Sequence, residues 1–212
     1  MTRGLVVGPL TPAQIVARAR YLAGLPGATI DTLDEHVRKV GAPSECSTIY
    51  YRLKRFNGGK DPTAPDPATR WSERDDHDVV HERVTSDCIG GASWCGGWDR
   101  FQPERFAHLY DGWINTDSMR MDAGGPMKCF IRLQRPEPGC YVVFASGAGG
   151  HAVGHIGTVI DVPLEWDESV RDCWKRLGVV DVAARSGRAN KLTTGLAWFD
   201  QDAWFLRSTM KP

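Results

Sequence analysis

The chain lacks an imbalance of charge: 26 Lys and Arg stand against 26 Asp and Glu in 212 residues. A nucleic-acid binder needs a basic face to displace counterions from phosphates, so no nucleic-acid partner is expected. Long apolar runs are missing as well. Nothing approaches the roughly 18 residues that argue for a membrane-spanning helix, so no membrane insertion is expected. The opening MTRGLVVGPLTPAQ holds only a short apolar stretch, broken by Gly8 and Pro9 and too short for an export-signal core; synthesis in the cytoplasm is the expectation. Six cysteines in a chain this long do not make a disulfide framework, and no CxxC pair points to structural zinc. The length suits one globular domain, whose function must be read from its sites.

What is present begins with a helix over about 12–23. Thr11 and Gln14 have capping-box spacing, Pro12 sits where its missing N–H costs nothing, and Gly24 can close the end. Ile15, Val16, Ala19 and Leu22 form an apolar stripe, with Arg18 and Arg20 expected to point away. A shorter helix is expected near 32–40, between Asp31 and Gly41. The Gly-Gly pair and three prolines of YYRLKRFNGGKDPTAPDPATR (50–70) exclude regular structure over most of that segment, and a charged run, SERDDHDVVHER, follows. The second half changes character. Residues 129–133, 140–144, 155–162, 178–184, 195–199 and 204–208 are short runs rich in β-branched and aromatic residues, separated by Gly, Pro and polar punctuation. One helix is expected at 167–177, capped by Asp167, with Val170, Trp174 and Leu177 inward. Helices first and strands afterwards predict an α+β fold: an antiparallel sheet of about five to six strands with helices packed on one face.

The chemistry centres on Thr85–Trp98, TSDCIGGASWCGGW. Ser86 or Asp87 can cap a helix that begins at Cys88, where free N–H groups and the helix dipole favour a thiolate. Gly90, Gly91, Ala92 and Ser93 are poor helix formers but allow close packing on a sheet. Cys46, Cys129, Cys140 and Cys173 read as core filler, and Cys95, seven residues after Cys88, as a buried residue on the same helical face. A thiolate nucleophile needs a base that later donates a proton, and histidine does both near neutral pH. His155 opens the apolar run HIGTVIDV after the loop SGAGGHAVG, which places it at a sheet rim; His151, inside that loop, is the competitor. Asp181 interrupts GVVDVAA, and a carboxylate within such a run needs a partner. If the two strands are antiparallel neighbours, Asp181 can hold the second ring nitrogen of His155; otherwise it faces solvent or pairs with Arg185. His77 and His81 have helical i, i+4 spacing but lack an HExxH order, and the charged run around them reads as solvated surface. Trp71, Trp94, Trp98 and Trp113 are split between groove lining and core.

The order DCIG…W, PGCYVVF, GHIGTVI, then a polar residue in the next strand resembles the NlpC/P60 cysteine peptidase superfamily, nearest the bacteriophage-type peptidoglycan hydrolases, including endolysins. Tyr51–Pro67, with GGKDPTAPDP, is similar to a tyrosine-containing loop that precedes the nucleophile there, and GWINTDSM (112–119) to a segment that follows its helix. The likeness runs from about 12 to 208. It implies a single catalytic domain, 1–212, with a papain-like core and insertions at about 25–49 and 163–177. Cys88 would be the nucleophile, His155 the base and Asp181 the orienting group, with Tyr51, Asp87 and Trp94 around the substrate and oxyanion. Asp181 departs from the histidine many relatives carry, and Ile89 from the family's DCSG. The implied activity is endopeptidase cleavage of peptide stems or cross-bridges in bacterial peptidoglycan, by a monomer that needs no metal or organic cofactor. The implied setting is synthesis in a host cytoplasm and action on the wall after release or from a virion. The alternatives are an amidase or acyltransferase on the same scaffold, or a non-catalytic virion or wall-binding member.

Overall fold

The computed structural model describes residues 10–23, 25, 70–74, 80–84, 88–98, 102–106, 112, 114–150, 153–181 and 191–210. The expected helix near 32–40, the 50–69 segment, Cys46, Tyr51, Asp87 and His151 lie outside them.

Helix α1 spans Pro12–Leu22 and opens with a complete capping box: Gln14 N–H donates to Thr11 Oγ1 at 3.3 Å and Thr11 N–H to Gln14 Oε1 at 2.8 Å. Its core face carries Ile15 and Ala19, which pack with Cys95, Ile160 and Val180. Arg18 corrects the expectation. It is only 2% exposed, since it stands three residues after Ile15 and beside Ala19 on the buried stripe, whereas Arg20 reaches Asp161 at the surface.

The centre of the molecule is a six-stranded antiparallel sheet, β3-β8-β4-β5-β6-β7. Its strands are β3 (Phe130–Leu133), β4 (Tyr141–Phe144), β5 (His155–Asp161), β6 (Gly178–Asp181), β7 (Lys191–Thr194) and β8 (Trp204–Ser208). The charged run holds two more strands, β1 (Arg70–Arg74) and β2 (Val80–Val84), paired as a separate antiparallel ribbon with Trp71 opposite Arg83. An α+β architecture with an antiparallel sheet is thus what the chain forms.

The helices do not share one face. Side chains alternate along β4, and the core divides with them. Tyr141 and Val143 join Ile89 and Ala92 of α2 (Cys88–Gly96), Phe106 of α3 (Pro103–Phe106) and Met119 and Ala123 of α4 (Thr116–Gly124). Cys140, Val142 and Phe144 join Trp174 of α5 (Arg171–Arg176), the adjoining Leu177, and Trp198 of α6 (Leu196–Phe199). A central strand whose four residues are all buried needs cover on both sides, and two helical layers supply it.

Two boundaries also differ. Asp167 does not cap α5; its carboxylate takes the N–H and hydroxyl of Ser169 at 2.9 and 2.7 Å, so the chain turns before the helix starts at Arg171 and Val170 is left exposed. Residues 195–199 form no strand: pairing with β6 ends at Thr194, and Gly195 begins the short helix α6, which folds Trp198 back over the sheet. Tertiary burial of the indole overrides the β-like composition of GLAWF.

Candidate active site

Cys88 is the first residue of α2, partly exposed and free, as its place in the sequence predicts. The helix lies close against β5 because Gly91, Ala92 and Ser93 are small and buried there. Ile89, which departs from the resembled pattern, is 3% exposed and packs into the apolar cluster beneath the helix, with Cys88 against the edge of the same cluster. Two turns in, Cys95 is sealed: burial pushes its thiol up to about 12, against the hydrogen bond to Thr158 and the charge of Arg18. Cys129, Cys140 and Cys173 are buried and free. Among the described cysteines, Cys88 alone combines partial exposure with a helix N-terminus.

His155 begins β5, and β6 is its antiparallel neighbour. Gly157 stands opposite Asp181, so His155 and Asp181 are diagonal partners on one face of the two strands. His155 Nε2 lies 3.0 Å from Asp181 Oδ2, with side-chain exposures of 23% and 9%. Gly157 makes room for Trp198, since a Cβ there would meet Val179 Cγ1 at 2.4 Å and the Trp198 ring at 3.1 Å. That indole is stacked flat on the imidazole, with centroids 5.5 Å apart and planes 13° apart.

Cys88 lies near enough to the same ring to act on it electrostatically. Burial by itself would lower the imidazole pKa; the hydrogen bond that the ring donates to Asp181, together with the influence of Cys88 and the charges those groups carry when ionised, outweighs it and pushes it up to about 10. The ring is therefore an imidazolium at neutral pH.

No family model, curated protein or solved structure matches this chain. The site's meaning therefore rests on its geometry and on the likeness read from the sequence.

Of the residues singled out from the sequence, Cys88, His155 and Asp181 come together. Tyr51 and Asp87 lie outside the described residues, and Trp94 lies on α2 with its side chain outside the description. Trp98 is core, its Nε1 donating to Tyr141 Oη at 2.9 Å; the side chains of Trp71 and Trp113 are not among those described. His81 is on β2 and His77 is not described, so their pairing is untouched by the structure. Trp198 is the contributor that sequence reasoning missed. The loop before His155 is also tied down: Asp117 of α4 accepts the Ser146 N–H at 2.7 Å and hydroxyl at 2.9 Å. Gly154 lies so close to Thr116 that a Cβ would meet its hydroxyl at 2.1 Å. No local pattern signals either contact, because both join segments about thirty residues or more apart.

Proposed function

We propose that this chain is a cysteine peptidase of the NlpC/P60 type, with a papain-like core, that cleaves peptide stems or cross-bridges of bacterial peptidoglycan. The observation that carries the reading is His155 held at 3.0 Å by Asp181, with Cys88 at the head of α2 near enough to influence the same ring. A thiol, an imidazole and a carboxylate in that relation are the parts of nucleophilic acyl transfer.

In the proposed reaction the Cys88 thiolate adds to the scissile carbonyl, and free N–H groups in the first turn of α2 receive the oxyanion. The C–N bond breaks as the His155 imidazolium gives its proton to the leaving amine, which leaves a thioester on Cys88. Neutral imidazole then takes a proton from water, the hydroxyl adds to the thioester carbonyl, and the thiolate departs, restoring the imidazolium. Asp181 holds the ring orientation through both halves. Peptidoglycan as the substrate comes from the sequence likeness alone.

Cys88→Ala or Cys88→Ser should abolish clearing of purified cell walls while leaving the circular dichroism and melting temperature unchanged. Undiminished clearing by either variant overturns the reading. Digestion by the wild type should expose a new amino group on a stem or bridge amino acid, as peptide-bond cleavage requires.

A further inference from the structure

The rim that carries His155 continues across the sheet to a second built feature. Trp204 opens β8 opposite Val143, and Val143 lies opposite Ile156, the neighbour of His155. Trp204 and Cys88 also pack against the same apolar cluster, which puts them on the same side of the sheet. Two guanidinium groups meet this indole: Arg120 Cζ lies 4.0 Å and Arg132 Cζ 3.9 Å from the ring.

The two arginines differ in what else they do. Arg120, on α4, donates from Nη1 to the Asp202 carbonyl at 3.0 Å and from Nη2 to its carboxylate at 2.8 Å. Asp202 holds a φ of 48°, so Arg120 clamps the turn that leads into β8 and thereby fixes Trp204. Arg132, on β3, is exposed and meets no carboxylate among the described residues. Lying over the indole costs it rotamer freedom in advance. A guanidinium held in that way presents its fork to a carboxylate at little further entropic cost.

We infer that Arg132 and Trp204 form a subsite for a substrate carboxylate on the α2 side of the rim. The subsite deepens the peptidase reading and depends on it for its relation to the cut bond. The strands that carry Trp204 and His155 are two spacings apart, about 10 Å at the backbone, and an extended peptide advances about 3.3 Å per residue. The favoured substrate is therefore an acidic peptide whose carboxylate lies about three residues from the bond attacked by Cys88.

The test uses the full-length Cys88→Ala protein, so that binding is read without turnover. The indole N–H resonance of Trp204, assigned by its loss in Trp204→Phe, is followed against Ac-Ala-Glu-Ala-Ala-NH2 and its Gln counterpart, Ac-Ala-Gln-Ala-Ala-NH2. The Glu peptide should move it saturably with a Kd about tenfold lower, and Arg132→Gln should remove that preference without changing the melting temperature. Equal binding of the two peptides, or a preference that survives Arg132→Gln, overturns the subsite. The two proposals fail separately. Cys88-dependent cleavage with equal KM for acidic and amidated substrates ends the subsite alone, whereas acid-selective binding without any cleavage by the wild type ends the peptidase reading alone.

Discussion

On one side of the central sheet, α2 comes close because Gly91, Ala92 and Ser93 are small and buried. On the other, the cover is aromatic: Trp174 stacks on Phe205 at 5.4 Å, Trp166 meets both edge-on, and Trp198 lies flat on His155. The difference follows from what each face holds. A sulfur at a helix end is placed by backbone approach, which bulky side chains would prevent. An imidazole has a flat ring that must keep one orientation, and a parallel indole on one side with a carboxylate at Nε2 leaves it little choice. The candidate site therefore forms at the rim, where the two faces meet.

The largest test of this contrast is Asp181→Asn. Loss of the carboxylate should lower kcat/KM by about 10²–10⁴-fold, the range in which an orienting acid acts. It should also shift the alkaline limb. The folded pKa of about 10 lies above the ordinary imidazole value near 6.5, so the imidazolium persists to about pH 10 in the native protein. Without Asp181 that limb should move down by a unit or more. The same elevation makes the charged ring stabilising: its contribution is full below about pH 6.5 and fades as the pH rises through about 10. Urea midpoints across that range should decline in the wild type and be flatter in Asp181→Asn; parallel curves would show that the pair does not couple to folding.

Trp198→Ala comes next. Removing a fully buried indole should cost about 3–5 kcal/mol, whereas Trp198→Phe should keep most of the stability while loosening the stack on His155. Thermal and urea unfolding read both variants. A cost under about 1 kcal/mol for Trp198→Ala would remove the aromatic wall as a structural device.

Ile89→Ser is the smallest of the three and probes the helix face. It installs the residue seen in the resembled pattern, yet Ile89 is core here, so the change should cost about 2–4 kcal/mol with chemistry per folded molecule nearly intact. A neutral stability effect together with raised activity would mean that position 89 lines the site after all.

Much of this was readable along the chain, and particular residues show why. The capping box at Thr11, the runs at 130–133, 141–144, 155–161 and 204–208, and the burial of Cys95 all depend on neighbours within a few positions. Arg18 is buried whole, with its Nη1 so near Gly97 at the end of α2 that a Cβ there would meet it at 3.2 Å, and periodicity does not report such a contact. The run 195–199 was misplaced because the same aromatic composition serves a strand or a helix, and burial of Trp198 chose the helix. The division of helices between two faces needed strand order, which no local pattern contains.

By itself, the sequence determined the kind of fold, the residue at the head of α2, and the titratable groups able to serve it, since each follows from composition, spacing and local hydrogen bonding. Only the tertiary structure decided that β5 and β6 are neighbours in a register that sets His155 diagonal to Asp181, that Trp198 backs the ring, and that Arg120 and Arg132 meet on Trp204. Those contacts join residues far apart in the chain, and their energies exist only once the sheet has brought the segments together.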